Sequence, residues 1–256
     1  MTAPDFGKTA GDYAKHRAGF PPRFFDEIRA RNIGLPGQRA LDLGTGTGTV
    51  ARGLALGGAK VTGLDPSEPL LEQARALDRE TGVSIDYVVA KAEDTGLPGP
   101  SFDVVTAGQC WHWFNRPRAA AEAMRLLRPG GALVIAHFDW IPLRGNVVHA
   151  TEELIQQHNP DWKLAGGTGI YARWLEDAAL TGFSDLETFS FDLDVPYSHE
   201  AWRGRIRASA GVAASLPQPA VDAFDRDLAA LLASRFPEDP LAVHHRTWAL
   251  VCRKPG

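Results

Sequence analysis

The chain has few cysteines and lacks long hydrophobic runs. Only 2 of its 256 residues are cysteine, Cys110 and Cys252, and neither has C-x-x-C or histidine spacing beside it. This pattern indicates neither a disulfide framework nor a metal site. No stretch approaches about 18 uninterrupted apolar residues, and the N-terminus lacks the basic and apolar regions of a secretion signal. We therefore expect a cytoplasmic protein that does not enter a membrane.

The chain also lacks an excess of charge of either sign. It carries 27 lysines and arginines against 31 aspartates and glutamates, which gives a formal charge of -4 at pH 7. Such a balance provides no overall attraction to nucleic acid or to an anionic membrane, so a small molecule is favoured as the partner. The length suits one α/β domain with an appendage and a substantial core, as a monomer or a homodimer.

A glycine-rich stretch at residues 39–51, RALDLGTGTGTVA, follows a short apolar run and precedes a helical pattern. The run is too short and too apolar for anything but a buried strand. Glycine at every second position after it removes the side chains that would keep a ligand off the backbone. The dinucleotide fingerprint G-x-G-x-x-G/A is satisfied by Gly46, Gly48 and Ala51, but Asp42 and the extra glycine ahead of them do not belong to it.

Asp42 and the three glycines resemble motif I of the class I S-adenosylmethionine (AdoMet) dependent methyltransferases. AdoMet has an amino acid end with an ammonium group, near which a carboxylate is expected, whereas an acid would repel a pyrophosphate. The segment GDYAKHRAGFPP resembles the Y-x-x-x-R-x-G-[YF]-P segment of a methyltransferase subgroup, in which an N-terminal helix covers the cofactor; a solvated surface helix is the alternative. The resemblance implies cofactor contacts from Asp42, Gly44, Thr45, Gly46, Gly48, Tyr13 and Arg17.

The ends of the second and third predicted strands carry further candidate residues. Asp65, followed by Pro66 and Ser67, is placed to accept hydrogen bonds from two ribose hydroxyls, which suits NAD as well as AdoMet. The phrase AEDTGLP resembles the turn that contacts adenine in the same methyltransferases. By that resemblance the backbone of Ala92 and the side chain of Glu93 or Asp94 read the adenine edge; solvated turn acids are the alternative.

The stretch after the fourth predicted strand, GQCWHWF at residues 108–114, resembles the Q-[AS]-x-H-W-[FM] variant of motif IV in small methyltransferases that include trans-aconitate methyltransferase-like proteins. The resemblance places Gly108 and Gln109 beside the sulfonium, and Trp111 or Trp113 against the adenine or the substrate. His112 is the first candidate for a general base, because imidazole titrates near neutral pH, and His137 is the second. A histidine bonded only to backbone is the alternative.

The C-terminal half carries the one concentrated group of positive charges, on a helix predicted over residues 199–215. If Arg205 and Arg207 face the site, they suit a carboxylate or another anionic substrate, because guanidinium binds carboxylate bidentately. A solvated helix face is the alternative. The phrase LLRPGG at residues 126–131 predicts a helix end and a turn, after which a strand covers residues 132–138.

These features together predict an α/β fold: a Rossmann-like, seven-stranded, mostly parallel sheet whose last strand is antiparallel, with helices on both faces and a helical cap. We expect one domain over residues 1–256. Its predicted parts are an N-terminal helical cover (1–38), a cofactor-binding core (39–138) and helical cap insertions (139–182 and 194–243).

The expected activity is transfer of a methyl group from AdoMet to an O, N or C nucleophile of a small molecule, with S-adenosylhomocysteine as the product. A non-catalytic AdoMet-binding protein is one alternative. An NAD(P)-dependent reductase is the other, and it is disfavoured because its Y-x-x-x-K pair, Tyr87 and Lys91, falls on a predicted strand.

Overall fold

The structure is a computed structural model that describes residues 19–256. Its strands are β1 (Arg39–Leu43), β2 (Lys60–Asp65), β3 (Asp86–Val89), β4 (Phe102–Gly108), β5 (Leu127–Trp140), β6 (Ser184–Tyr197) and β7 (Leu241–Arg253). Its helices are α1 (Pro22–Arg29), α2 (Thr49–Leu56), α3 (Glu68–Thr81), α4 (Arg116–Leu126), α5 (Val147–His158), α6 (Ala172–Thr181), α7 (His199–Arg207) and α8 (Gln218–Arg235). A short 3-10 turn covers Trp111–Trp113.

The seven strands form one sheet in the order β3-β2-β1-β4-β5-β7-β6. β1 is central and pairs in parallel with β2 on one side and β4 on the other, so that Ala40 lies opposite both Val61 and Val104. The last strand is antiparallel, and the predicted fold class is confirmed. The strand order reverses between β1 and β4, and the carboxyl ends of these two strands therefore form the crevice in which open α/β sheets bind ligands.

The central strands are buried because their side chains are apolar on both faces of the sheet. Leu41 and Leu43 of β1, Val105 of β4 and Ile135 of β5 are all 0% exposed. Burying side chains of this size stabilises a fold by about 1.5–3 kcal/mol each. The buried strands thus hold the polar residues at their ends in fixed positions.

The segment LLRPGG was predicted to form a turn before the fifth strand, but most of it lies within that strand. α4 ends at Leu126 as expected, but β5 already begins at Leu127. The register between β4 and β5 shifts between Phe102 and Val104, so the Pro-Gly-Gly part forms a bulge within the strand. Gly130 donates its N–H to the Lys254 carbonyl, and this pairing with the chain's end keeps the bulge in the sheet, which local sequence does not reveal.

The helix predicted over residues 199–215 is also shorter than expected, because α7 ends at Arg207. A series of turns follows, in which Asn159 donates its side-chain N–H to the Gly211 carbonyl at 2.9 Å. A Cβ at Gly211 would lie 2.8 Å from Ile155 and 3.1 Å from Trp162. The backbone at Gly211 therefore lies close to these side chains, in turns rather than in a continued helix.

The described chain groups into two compact units. The larger unit contains residues 19–138, 171–191 and 247–256, and the smaller unit contains residues 139–170 and 192–246. In the larger unit, buried Leu41, Val105 and Ile135 belong to one core cluster; in the smaller, Trp202 and Phe224 belong to another. Residues 171–182 thus group with the larger unit, and the cap insertion at 139–182 stays a prediction. A single domain over residues 1–256 stays a prediction.

None of the helices described for residues 19–256 is long and apolar enough to span a membrane. The same residues contain no group of three or more His, Cys, Asp or Glu side chains arranged to hold a metal ion.

Candidate active site

The loop after β1 is tied by its backbone to the end of β2. Thr45 donates its N–H to the Leu64 carbonyl at 2.9 Å. Gly46 donates its N–H to Oδ2 of Asp65 at 2.9 Å, and Ser67 donates its N–H to Oδ1 of the same carboxylate at 2.9 Å. The Asp65 side chain therefore fixes the position of the glycine loop relative to the next strand.

Two glycines of this loop adopt left-handed backbone conformations for different reasons. Gly44 has φ +59°, and a Cβ there would lie 3.0 Å from Sγ of Cys110 and 3.0 Å from the Phe114 ring. Gly46 has φ +56°, and a Cβ there would meet nothing within 4 Å. The backbone at Gly44 thus packs against the segment after β4, whereas Gly46 borders open space that a ligand can occupy.

Asp42 lies at the end of β1 and is 2% exposed. Its carboxylate accepts hydrogen bonds from the Thr45 hydroxyl at 2.7 Å and the Thr106 hydroxyl at 2.6 Å. Burial raises the pKa of Asp42 to about 6, although both hydroxyls act in the opposite direction. This carboxylate thus joins the glycine loop to β4, and its predicted place near the ammonium group of AdoMet stays a prediction.

The raised pKa of Asp42 predicts a pH-dependent effect of Asp42→Asn. In the unfolded chain this carboxyl ionises near pH 4, whereas in the folded protein it keeps its proton up to about pH 6. Proton binding therefore stabilises the folded wild type at low pH, and this contribution is lost as pH rises through about 6. We expect the free energy of unfolding of the variant, relative to the wild type, to increase by about 2–3 kcal/mol between pH 4 and pH 7. Urea denaturation at pH 4, 5, 6 and 7 measures it.

Asp103→Asn is the matched control for this series, because Asp103 accepts hydrogen bonds from Arg39 and Arg128 and its pKa is lowered. It should show no such increase above pH 4. A constant stability difference for Asp42→Asn over the whole pH range would contradict the account of the buried carboxylate.

Asp65 is 7% exposed, and burial raises its pKa while the N–H groups of Ser67 and Gly46 act against this. Each carboxylate oxygen accepts one of these two hydrogen bonds and retains the capacity for another. The side chain is thus preorganised, and it can still accept hydroxyl donors at the mouth of the crevice.

Gln109, the residue after β4, has φ +61°, which is rare for a residue other than glycine. Its N–H donates to the Ala136 carbonyl at 2.8 Å. Its side-chain amide donates to the Phe138 carbonyl, and its Oε1 lies 3.1 Å from Nδ1 of His137. Strained backbone of this kind persists where the surroundings hold it, and here β5 holds it at the ligand end of the sheet.

His137 is 0% exposed, and its tautomer follows from its neighbours. Nε2 accepts a hydrogen bond from the Trp174 indole at 3.1 Å, so the proton of the neutral ring lies on Nδ1 and is donated to Gln109. The ring stacks on Tyr171 with 3.8 Å between centroids. A buried ring with both nitrogens engaged does not fit a general base, so we correct that prediction: His137 holds Gln109 in place.

The 3-10 turn after β4 separates its two tryptophans. Trp111 is 0% exposed and donates its indole N–H to Asp177 at 3.0 Å. We therefore correct its predicted contact with the adenine, because the ring offers no surface to a ligand. Trp113 is 44% exposed and remains a candidate for substrate contact.

His112 lies in the same turn and is exposed. Its ring centroid is 4.5 Å from that of Trp113 and 5.6 Å from that of His137. The imidazole is thus exposed at the carboxyl end of β4, and its role as general base stays a prediction.

The predicted adenine turn lies after β3. Ala92 is buried, and the Glu93 carboxylate accepts a hydrogen bond from the N–H of Asn115 at 2.7 Å, just before α4. Asp94 is exposed. Of the two acids, Asp94 is therefore the one whose side chain faces solvent rather than a backbone donor.

Tyr13 and Arg17 lie outside the described residues. The described end of the same segment contains Phe20, which sequence analysis missed. Its ring lies 4.5 Å from that of Phe24, and a Cβ at Gly108 would lie 3.2 Å from it. The aromatic residue before the two prolines of GFPP was the available signal, and the structure places its ring beside the end of β4.

The arginines of α7 differ in their partners within the smaller unit. Arg203 pairs with Asp225 of α8, and Arg207 also pairs with Asp225 at 2.8 Å. The predicted substrate contact of Arg207 stays a prediction. Arg205 instead lies with its guanidinium 4.7 Å from the centroid of the Trp140 ring.

Comparison with known proteins gives consistent matches. The chain matches the family described as "Methyltransferase domain" over residues 41–135. An uncharacterised methyltransferase from Mycobacterium tuberculosis is 35% identical over 128 residues, which make up 50% of this chain and 49% of that protein. The chain thus spans about half the length of that relative.

Two further matches cover more of the chain. A ubiquinone biosynthesis O-methyltransferase from Xanthomonas campestris is 33% identical over 192 residues, 73% of this chain and 77% of that protein. A solved structure of a proposed type II methyltransferase from Anaeromyxobacter dehalogenans is 26% identical with a TM-score of 0.62, over 93% of this chain and 97% of that one.

The family match covers β1 through most of β5, the part of the chain that contains the glycine loop, Asp65 and the turn after β4. The Xanthomonas relative extends the similarity over most of both chains. Together with the strand order and the loop geometry, these matches lead to one conclusion: this chain belongs to the class I AdoMet-dependent methyltransferase family.

Proposed function

We propose that the chain transfers the methyl group of AdoMet to a small-molecule acceptor and releases S-adenosylhomocysteine. The observation that carries this proposal is the open space at Gly46, next to the Asp65 carboxylate that holds the same loop. Family membership supports AdoMet as the ligand of this crevice. The absence of a charge excess favours a small acceptor over nucleic acid.

In this proposal the cofactor lies along the carboxyl ends of β1, β2, β3 and β4. The glycine loop and Thr45 border its amino acid end, and Asp65, with Pro66 and Ser67, accepts hydrogen bonds from its ribose. Ala92 and Asp94 contact the adenine. Gly108 and Gln109 lie beside the sulfonium, where the Gln109 backbone is fixed by its bonds to β5.

AdoMet supplies a methyl group on a positively charged sulfur, and transfer leaves a neutral thioether. The protein's part is mainly to hold the acceptor nucleophile in line with that bond, which removes much of the entropic barrier. An oxygen, nitrogen or carbon nucleophile loses a proton in the course of the reaction. His112 is the group that we assign to take it, since its ring is exposed at the end of β4.

Alanine at two loop positions should separate stability from cofactor binding. Both Gly44→Ala and Gly46→Ala place a Cβ in a left-handed conformation, which costs about 1–2 kcal/mol. The added methyl group of Gly44→Ala also crowds Cys110, so this variant should lower the free energy of unfolding more than Gly46→Ala does. Gly46→Ala puts its methyl group into the open space and should weaken AdoMet binding more than Gly44→Ala does, measured by calorimetry alongside urea denaturation. The reverse ranking of the two affinities would contradict the assignment of that space to the cofactor.

Transfer itself is tested with methyl-labelled AdoMet and an extract of the host organism. We expect the label to appear in a low-molecular-weight compound, whose identification gives the acceptor. Label confined to protein or nucleic acid would overturn the proposed acceptor class. AdoMet binding without transfer to any fraction would instead support a non-catalytic AdoMet-binding protein.

A further inference from the structure

Three polar side chains of the larger unit form a cluster next to the glycine loop. Arg52 of α2 donates its Nε–H to Oδ1 of Asp78 on α3 at 2.9 Å. Tyr87 of β3 donates its hydroxyl to Oδ2 of the same carboxylate at 2.8 Å. The side chains of Arg52 and Asp78 are 13% and 6% exposed. These three residues, the support cluster, thus join three elements through one buried carboxylate.

The support cluster contacts the backbone of the glycine loop at two positions. Nη2 of Arg52 donates to the Thr47 carbonyl at 2.8 Å and to the Ala74 carbonyl of α3 at 3.3 Å. A Cβ on Gly48, which has φ +79°, would lie 2.7 Å from the Tyr87 hydroxyl and 3.1 Å from Nη2 of Arg52. The loop backbone therefore packs directly against side chains from both α2 and β3.

A glycine inside β2 makes room for Tyr87. Gly63 lies opposite Tyr87 in the register of β2 and β3, and a Cβ on Gly63 would lie 2.6 Å from the tyrosine ring. Glycine weakens a strand interior, and it often marks a site where another group approaches the backbone closely. Burial and the hydrogen bond to Asp78 raise the pKa of Tyr87. The hydroxyl therefore keeps its proton at neutral pH and remains a donor.

A second carboxylate holds the same loop from the end of β2. Gly46 donates its N–H to Asp65, and the carbonyl of the next residue, Thr47, accepts the hydrogen bond from Arg52. Two adjacent loop residues are thus fixed by two carboxylates, Asp65 directly and Asp78 through Arg52. The open space at Gly46 borders a backbone whose position depends on both.

We propose that the support cluster positions the glycine loop for cofactor binding, with Arg52 as its central positioning residue. The inference rests on the proposed function, because it concerns the same cofactor site. A loop that is held in its binding conformation before the ligand arrives needs little ordering on binding. A loop that adopts this conformation for only a fraction of the time binds with an affinity lowered by that fraction.

Arg52→Met tests this role, because it removes the donors and keeps most of the side-chain length. We expect calorimetry on the full chain to show about tenfold weaker binding of AdoMet, and equally of S-adenosylhomocysteine, if the loop is then correctly placed about a tenth of the time. At saturating AdoMet the loop is in place, so kcat for the transfer of labelled methyl should equal that of the wild type. Arg128→Met is the control, since Arg128 pairs with Asp103 at 2.6 Å, at the strand end away from the loop. Its AdoMet affinity should be unchanged.

Amide hydrogen exchange in the absence of ligand tests the loop itself. The N–H groups of Thr45, Gly46 and Gly48 are all hydrogen-bonded. In Arg52→Met they should exchange about tenfold faster than in the wild type, while the amides of β5, the reference for global unfolding, keep their relative order. In Arg128→Met the loop amides should exchange as in the wild type. An Arg52 that only stabilises the fold would change the urea midpoint without changing AdoMet affinity.

A folded Arg52→Met protein with wild-type AdoMet affinity would overturn the proposal, as would a kcat that falls at saturating AdoMet. If circular dichroism shows that this variant does not fold, Tyr87→Phe decides, because it removes only the hydroxyl. It should weaken AdoMet binding by about threefold, and wild-type affinity would overturn the proposal. A wild type that binds no AdoMet would refute the proposed function, and faster loop exchange in Arg52→Met would still show that Arg52 holds the loop.

Discussion

Replacing Asp65 by Asn is expected to weaken the binding of AdoMet and of S-adenosylhomocysteine by about 100-fold. The carboxylate is the proposed acceptor for two ribose hydroxyls, and hydrogen bonds to a charged group contribute about 1.5–3 kcal/mol each. It also receives the N–H groups of Gly46 and Ser67, so the variant loosens the loop that borders the cofactor. Both ligands contain the ribose, and both affinities should therefore fall together in a calorimetric titration.

Asp103→Asn is the control for this substitution. Asp103 also accepts a backbone N–H, from Arg39 at 2.8 Å, but it follows the first residue of β4, at the strand end away from the glycine loop. AdoMet affinity should be unchanged in this variant. An Asp65→Asn protein that remains folded and binds AdoMet as tightly as the wild type would remove Asp65 from the cofactor site.

Replacing His112 by Gln is expected to lower kcat by about 100-fold without changing the dissociation constant of AdoMet, because general bases typically contribute that much or more. The imidazole is exposed, in the turn directly after β4. The transfer of labelled methyl to the acceptor found in the host extract provides the rate. Calorimetry provides the affinity.

His149→Gln is the matched control, since the side chain of His149 is 40% exposed but lies on α5 in the smaller unit. Its rate should equal that of the wild type. If His112→Gln transfers methyl groups as fast as His149→Gln, then the reaction uses no base at this position, and an acceptor that is already deprotonated would be indicated.

Local sequence was sufficient for the features that depend on spacing along the chain. Alternation of short apolar runs with helical patterns, and glycine at every second position after β1, predicted the mostly parallel sheet and the tight loop after its first strand. These signals are local because a buried strand and a tight turn each need particular residue types within a few positions. The predicted order of motifs therefore matched the order of strand ends in the crevice.

Roles that depend on distant partners were predicted less well. Sequence did not show that the Asp42 carboxylate accepts hydrogen bonds from Thr45 and from Thr106 of β4. Trp111 was expected at the ligand, but Asp177 of α6 binds its indole in the core. In both cases a partner lies on another element, Thr106 or Asp177, and the residues next to Asp42 or Trp111 in the sequence do not indicate it.

The two candidates for the general base also differ through partners that are distant in the sequence. Sequence ranked His112 first and His137 second, although each lies at or just after the end of a predicted strand. Trp174 and Gln109 engage both nitrogens of His137, which leaves His112 as the exposed ring. Likewise, Arg205 and Arg207 are two positions apart on one helix, but only Arg207 reaches Asp225.

The central claim is that the crevice at the ends of β1 and β4 binds AdoMet, and equilibrium calorimetry on the full chain tests it most directly. We predict that AdoMet and S-adenosylhomocysteine bind with dissociation constants on the order of micromolar, about -8 kcal/mol, and that NADH does not bind. Binding of NADH, with no heat from AdoMet or S-adenosylhomocysteine, would contradict the account.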